Sequence, residues 1–230
     1  MQRPDFACAR ALSPADLRFV LDHFPGGLAD PVDAVRRLHE APSTLDSLLD
    51  SPFLHRALLD SETLQLQASP ALVFNVLLRR CLPGRRSAEE REALNYLAHL
   101  LALFARAERL HQIQPGEPSR FDYLVDLVLE SAQSVGERQF LVHSHIGNYA
   151  LFIAGLRAEW VAHRQKYRRR PVSLDYYCDT GRSFYRSAAG HDLAERFSLR
   201  RVFQQLSDRF DYYRQGLERL GRQHLFAGAH

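Results

Sequence analysis

Residues 140–160 read FLVHSHIGNYALFIAGLRAEW, the longest mostly apolar run in the chain. At 3.6 residues per turn, Ser144, Gly147, Ala150 or Leu151, Ala154 and Ala158 fall roughly on one stripe. Small side chains along a stripe let a second helix approach closely. Leu141, Ile146, Tyr149, Phe152, Ile153 and Leu156 surround the stripe with large apolar groups. A helix that is apolar nearly all round is a buried helix. Gly147 and Gly155 each cost roughly 1 kcal/mol against alanine in a helix interior, which predicts close packing, a kink, or a break near Gly147. A membrane span wants about 20 apolar residues with fewer polar interruptions. This run holds two His and an Asn between Arg138 and Arg157, so it reads as a central helix of a bundle in water.

His143 and His145 are the candidate cofactor or metal ligands in this run, because imidazole is the commonest metal-ligating side chain and a proton shuttle. Positions i and i+2 on a helix point about 200° apart, so the two cannot share one ion while the helix is intact. The plainer expectation is one core His bonded to a carbonyl and one on a polar face. Asn148 is expected to bridge two helices, since buried amides find partners.

Gly147-Asn148-x-x-Leu151-Phe152-x-x-Gly155, followed by Tyr176-Tyr177-x-x-x-Gly181-x-x-x-Tyr185, resembles a pattern of an uncharacterised family of helical bacterial proteins. The resemblance covers about residues 140–190 and implies a helical fold. It carries no activity, so it transfers no catalytic or binding residue.

Working outward, Ser198 to Leu220 carries the clearest periodicity. Leu199, Phe203, Leu206, Phe210, Tyr213, Leu217 and Leu220 repeat at alternating spacings of four and three. This heptad seam over 199–220 either packs into the chain's own bundle or pairs with a second copy as a homodimer. Ser87-Ala-Glu-Glu90 is a capping box opening a helix to about Ile113. Ser119 is expected to open another to about 134, the central helix to span about 138–163, and Ser173 to open 174–189. In the first third, Ser13-Pro14, Asp30-Pro31, Ser51-Pro52 and Ser69-Pro70 each read as an N-cap with proline at the first helical position. No segment alternates apolar and polar residues as a strand does. The fold class expected is all-α: one domain over 1–230, with short helices in 1–68 packed on a multi-helix bundle in 69–230. The short helices could serve as a cap.

A chain of 230 residues can bury a sizeable core, and a net charge of +3 does not demand nucleic acid. Lys166 is the one lysine; the remaining cations are Arg, as a GC-rich coding bias would give. Cys8, Cys81 and Cys178 are odd in number and lack Cys-x-x-Cys spacing, which fits a reduced, cytoplasmic setting. Residues 1–12 lack the basic start and apolar core of a signal peptide, and no membrane association is expected.

Catalytic motifs are sparse. A di-iron bundle needs two Glu-x-x-His motifs and two further Glu. Glu108 to His111 has the spacing; Glu159 to His163 and His191 to Glu195 are i, i+4 and off pattern. A haem pocket, with His143 or His145 beside Gly147, is a second alternative. There is no nucleophile elbow, no catalytic Cys signature and no phosphate-cradling glycine loop. From 157 to 201, however, 11 Arg or Lys stand against 5 Asp or Glu, with tyrosines interleaved. Arg168, Arg169 and Arg170 with Tyr176, Tyr177, Arg182 and Tyr185 are therefore the candidate site for an anionic ligand or, alternatively, a nucleic-acid strand. The expectation is a non-catalytic, cytoplasmic helical protein that binds a partner or an anionic ligand, without a cofactor. A cofactor-dependent bundle enzyme is the competing class.

Overall fold

The computed structural model describes residues 4, 6, 12–24, 31–59, 68–82, 84, 86–159, 161 and 173–226. Among these residues the chain forms thirteen α-helices and no strand, an all-α multi-helix bundle. Four short helices come first: α1 (Pro14–Asp22), α2 (Pro31–Glu40), α3 (Pro42–Leu49) and α4 (Pro52–Leu59). α5 (Pro70–Cys81), α6 (Ala88–Phe104) and the single turn α7 (Ala107–His111) follow. α8 (Leu124–Gln133) leads to the central α9 (Gly136–Leu156). The chain continues as α10 (Leu174–Gly190), α11 (Asp192–Arg196), α12 (Arg200–Asp208) and α13 (Phe210–Leu220), and closes with a π-helical turn, Gly221–Leu225. No helix among the described residues is long and apolar enough to cross a membrane.

α9 runs unbroken through Gly147, and its glycines act through proximity. A Cβ on Gly147 would lie 2.7 Å from the Tyr185 ring, and one on Gly155 would lie 2.5 Å from Leu217 Cβ. From the facing helix, a Cβ on Gly181 would lie 2.5 Å from the Phe210 ring and 3.1 Å from Ala150. Real Cβ atoms do not approach so closely, so these glycines let α10 and α13 seat against α9. Gly147 and Asn148 of the Gly-Asn…Gly pattern therefore meet Tyr185 of the Tyr-Tyr…Gly…Tyr pattern across the α9–α10 packing, while Gly155 and Gly181 admit Leu217 and Phe210 of α13.

The short helices have a core of their own. Leu17, Phe19, Val20, Leu49, Leu54 and Leu58 cluster with Leu72 and Val76 of α5, while Leu77, Leu78 and Cys81 of α5 belong to the main core. α5 is thus the wall between two cores. Two buried polar networks fasten the layers. Asp16, 2 % exposed, accepts from Ser13 N and Ser13 Oγ at the start of α1. It also accepts from Ser69 N and Ser69 Oγ, both at 2.9 Å, at the start of α5. One carboxylate so neutralises the N-termini of two helices, where negative charge is favoured. Arg79, 3 % exposed, donates from Nε to Asn75 Oδ1 at 2.7 Å and from Nη2 to Asp46 Oδ1 at 2.5 Å. Asn75 in turn donates to Asn95 of α6 at 2.9 Å, and Arg91 of α6 reaches Asp46 at 2.6 Å.

Several helix boundaries differ from those expected. Ser13, Ser69, Ser87 and Ser173 cap as anticipated. Ser51 instead turns its hydroxyl back to the carbonyl of Leu48 and closes α3; Asp30 lies outside the described residues. The helix expected to reach Ile113 stops at Phe104 and resumes for one turn after the extended Arg106. The helix expected from Ser119 begins at Leu124, because Phe121 N donates to His111 O at 2.9 Å and closes a loop first. The expected helix over 198–220 is two helices broken at Arg209, whose guanidinium pairs with Glu90 of α6 and stacks on Tyr212 at 4.0 Å. The heptad seam faces inward: Leu199, Phe203, Leu206, Phe210, Tyr213, Leu217 and Leu220 are all at most 1 % exposed within the single chain. A homodimer through 199–220 would have to open the bundle.

Two substitutions probe this packing. Gly147→Ala should lower stability by about 1–3 kcal/mol through overpacking against Tyr185, read as a lower urea midpoint at unchanged slope. Asp46→Ala should cost about 3–5 kcal/mol, because it leaves the buried Arg79 guanidinium without its closest anion, read by thermal and urea unfolding.

Candidate functional site

Asn148 is a structural hub. It is 1 % exposed, and its Oδ1 accepts from Tyr96 Oη at 2.8 Å and from Tyr185 Oη at 2.9 Å. Burial raises the Tyr185 phenol well above its ordinary range. Tyr185 and the 9 %-exposed Tyr177 are therefore inside the protein, whereas Tyr176 on the same helix is exposed. Arg182 is bound to Asp179 at 2.8 Å and Asp211 at 2.5 Å, with its guanidinium over Phe210. The four α10 residues picked from the sequence thus lie in different surroundings. Arg168, Arg169 and Arg170 lie outside the described residues.

His143 and His145 part company as helix geometry requires. His143 is half-buried against the Phe184 ring of α10, with burial lowering its basicity first and the nearby His191 adding to that. His145 points the other way, its Nε2 3.2 Å from the carbonyl oxygen of Leu110 and its ring edge-on to Phe104. Complete burial lowers its pKa to about 3 and keeps the ring neutral, against the bond to the Leu110 carbonyl, which favours the charged form. Among the described residues, no group of three or more His, Cys, Asp or Glu is placed to hold a metal ion. His191 caps α11, its Nδ1 accepting from Leu193 N at 3.2 Å, and Glu195 pairs with Arg200; His163 is outside the described residues. Cys81 and Cys178 are buried, which raises both thiols above their ordinary range. Such thiols are poor nucleophiles at neutral pH.

The arrangement that does present chemistry to solvent is a cleft of about 380 Å³ at the C-terminal end of α9. The loop from Gln112 to Tyr123 closes on itself at His111. Phe121 N donates to His111 O, and His111 Nδ1 lies 3.1 Å from Phe121 O and 3.2 Å from Asp122 Oδ1. Compact loops with close ends are frequently functional. With Nδ1–H donating to these oxygens, Nε2 remains available to a ligand. Asp122 is held from two further sides: Arg120 Nε reaches its carboxylate at 3.0 Å, and Tyr149 Oη donates to its backbone oxygen at 3.1 Å. Leu110, Ile153 and the exposed ring of Tyr123 give apolar walls. Arg157 completes the lining. It sits just past α9, is exposed, and stacks its guanidinium 5.6 Å from the centroid of Phe226. Among the described residues it meets no carboxylate, unlike Arg79, Arg86, Arg138, Arg182 and Arg214. The π-helical turn is what returns Phe226 to α9, with Phe226 N donating to Gly221 O at 2.9 Å.

A second hollow of about 530 Å³ is bordered by Phe6, Arg109, Ile113, Glu117, Glu137 and Leu141. Glu117 there is already committed to Arg138. The smaller cleft is the better-built site, because its polar groups are positioned by bonds from three separate segments.

Of the cleft residues, only His111 stands in a chemical motif in the sequence, the Glu108–His111 metal spacing that the fold does not complete; Tyr149 and Ile153 read there as core, and Arg157 as the start of the basic stretch. Asp122, Tyr123, Tyr149 and Arg157 carried no local signal of a shared site. They meet because a loop closes ten residues downstream of His111 and because α9 ends at Arg157. No family model, no curated protein and no solved structure matches the chain.

The buried, neutral His145 makes stability depend on pH in one direction. Its folded pKa of about 3 lies below the 6.5 of the free side chain. The unfolded chain therefore binds a proton below pH 6.5 that the native protein refuses, and stability falls as pH drops from 6.5 toward 3. Between pH 7.5 and pH 4.5 the loss from this group should be roughly 3 kcal/mol. Urea unfolding at the two pH values should show a smaller difference in His145→Gln than in the unaltered protein.

Proposed function

We propose that this chain is a ligand-binding helical protein and that the cleft between His111, Tyr123, Tyr149 and Arg157 takes a small organic anion. The observation that carries this reading is Arg157: a cation in the cleft lining, held by an aromatic ring and met by no carboxylate among the described residues. Guanidinium is a planar donor fork that pairs with carboxylates bidentately. Asp122 does not oppose this, because its carboxylate is already paired with Arg120 and lies 3.2 Å from His111 Nδ1. Tyr123, Leu110 and Ile153 supply apolar surface for the body of the ligand, which is the usual composition of a small-molecule site. The sequence adds a second basic feature: Arg164, Lys166 and Arg168–Arg170 follow Arg157 within thirteen residues and would raise the local concentration of anions.

Isothermal titration with benzoate tests the reading. The unaltered protein should bind, and Arg157→Gln should bind at least about tenfold more weakly, a difference of about 1.4 kcal/mol, with an unchanged melting temperature. Equal affinity in the two proteins, or no binding to the unaltered one, would remove the cleft from consideration.

A further inference from the structure

The π-helical turn that follows α13 touches three other parts of the fold. Gln223 meets the Cys81 thiol of α5, with Sγ and Oε1 3.9 Å apart. His224 sets its ring edge-on to His55 of α4, the centroids 6.1 Å apart. Two residues on, Phe226 lies over the Arg157 guanidinium at the cleft. Arg222 also reaches Glu159 at 3.4 Å, but both side chains are exposed, and such surface pairs hold little. Turns of π type are rare and gather at functional sites. This one ties a pair of imidazoles to the cation of the cleft.

The contact between the two rings suits neutral imidazoles. His55 Nε2 is enclosed by the protein and meets no hydrogen-bond partner among the described residues. A proton added there would bring a charge with nothing to solvate it. Burial lowers the basicity of His55, and Arg80 of α5 and then His224 lower it further; burial lowers that of His224 as well. The neighbouring charge on α4 is Arg56, and from α13 Arg219 acts on Cys81 beside the turn. Among the described residues no carboxylate acts on either ring.

We propose that the His55–His224 contact is a pH-sensitive latch, which docks the C-terminal turn at neutral pH and releases it in mild acid, so that Phe226 leaves Arg157. Histidine is the side chain whose charge ordinarily changes between pH 5 and 8, and charging paired histidines opens interfaces. Both rings are less basic when docked than when free, so the released turn binds the extra protons. Docking is therefore at full strength above 6.5, the value of the free side chain, and weakens as pH falls below it. At 6.1 Å the repulsion of two unit charges, even screened by water, shifts an equilibrium about threefold. The element to be moved is a surface turn of five residues, which belongs to the low end of local stability. The latch stands by itself; its control of the cleft rests on the anion-binding reading, since Arg157 would lose the ring that holds it.

Amide hydrogen exchange at pH 7.5 and 5.5, corrected for intrinsic rates, tests the latch. The Phe226 N–H, bonded to Gly221 O, reports the turn, and the Ile146 N–H in α9 reports the core. In the unaltered protein, acid should lower protection at Phe226 at least about threefold more than at Ile146. In His55→Gln and in His224→Gln this selective loss should disappear; both rings are half-buried, so the fold tolerates the change. Equal loss at the two amides of the unaltered protein, or the same selective loss in both variants, would overturn the latch. At pH 5.5 benzoate should bind more weakly to the unaltered protein than to His224→Gln. Equal affinity would overturn the control of the cleft while leaving the latch, and absence of binding at either pH would overturn the cleft reading itself.

Discussion

Two tyrosine hydroxyls, one from α6 and one from α10, share a single acceptor on α9, the Oδ1 of Asn148. All three side chains are inside the protein, so each must find its partner there or lose the hydrogen bond it had in water. An unmet buried hydroxyl costs about 1–3 kcal/mol, and removing Asn148 would take this acceptor from both tyrosines. The bond geometry fixes how α6 and α10 stand around α9, and Gly147 beside it leaves room for the Tyr185 ring that delivers one of the hydroxyls. The apolar core supplies most of the driving force but is compatible with many arrangements. The shared acceptor and the glycine contacts select one.

From that axis the rest follows in two directions. Toward the N-terminus, α5 divides two cores, and Asp16 and Arg79 join the short helices to the bundle through bonds that are directional and fully met. Toward the other end, α9 outlasts the loop that closes at His111 and brings Tyr149, Ile153 and Arg157 up against Asp122 and Tyr123. The cleft is the space left between a helix that the core holds rigidly and a loop that its own hydrogen bonds hold closed. Its rim combines a cation, an imidazole with one nitrogen available, and aromatic surface. On the proposed reading, this rim recognises an organic anion.

The all-α class, the buried central helix and the Ser87 capping box could be read from residue spacing, because periodicity and caps are local properties. The small-residue stripe through Gly147 and Ala150 was also legible, since close helix approach needs small side chains wherever the partner lies. The role of Tyr185 was not. An aromatic on a helix near arginines looks alike whether it faces a ligand or a core, and the deciding partner, Asn148, is 37 residues away. The break at Arg209 was hidden by an unbroken heptad pattern, because the pairing with Glu90 that accompanies it is a tertiary contact. The cleft was the least legible part. Its residues come from the end of one helix, the far side of a loop and the last turn of another helix, and no spacing rule connects them.

The most direct test of the account is a nuclear magnetic resonance titration of the unaltered protein with benzoate, following the histidine ring protons and the arginine Nε–H groups. The account predicts that the His111 ring and Arg157 Nε–H resonances shift together along one saturating curve, while His143, His145 and Arg182 stay in place. Shifts centred on His143 or Arg182 with His111 and Arg157 unmoved would contradict it and return the site to the face of α10.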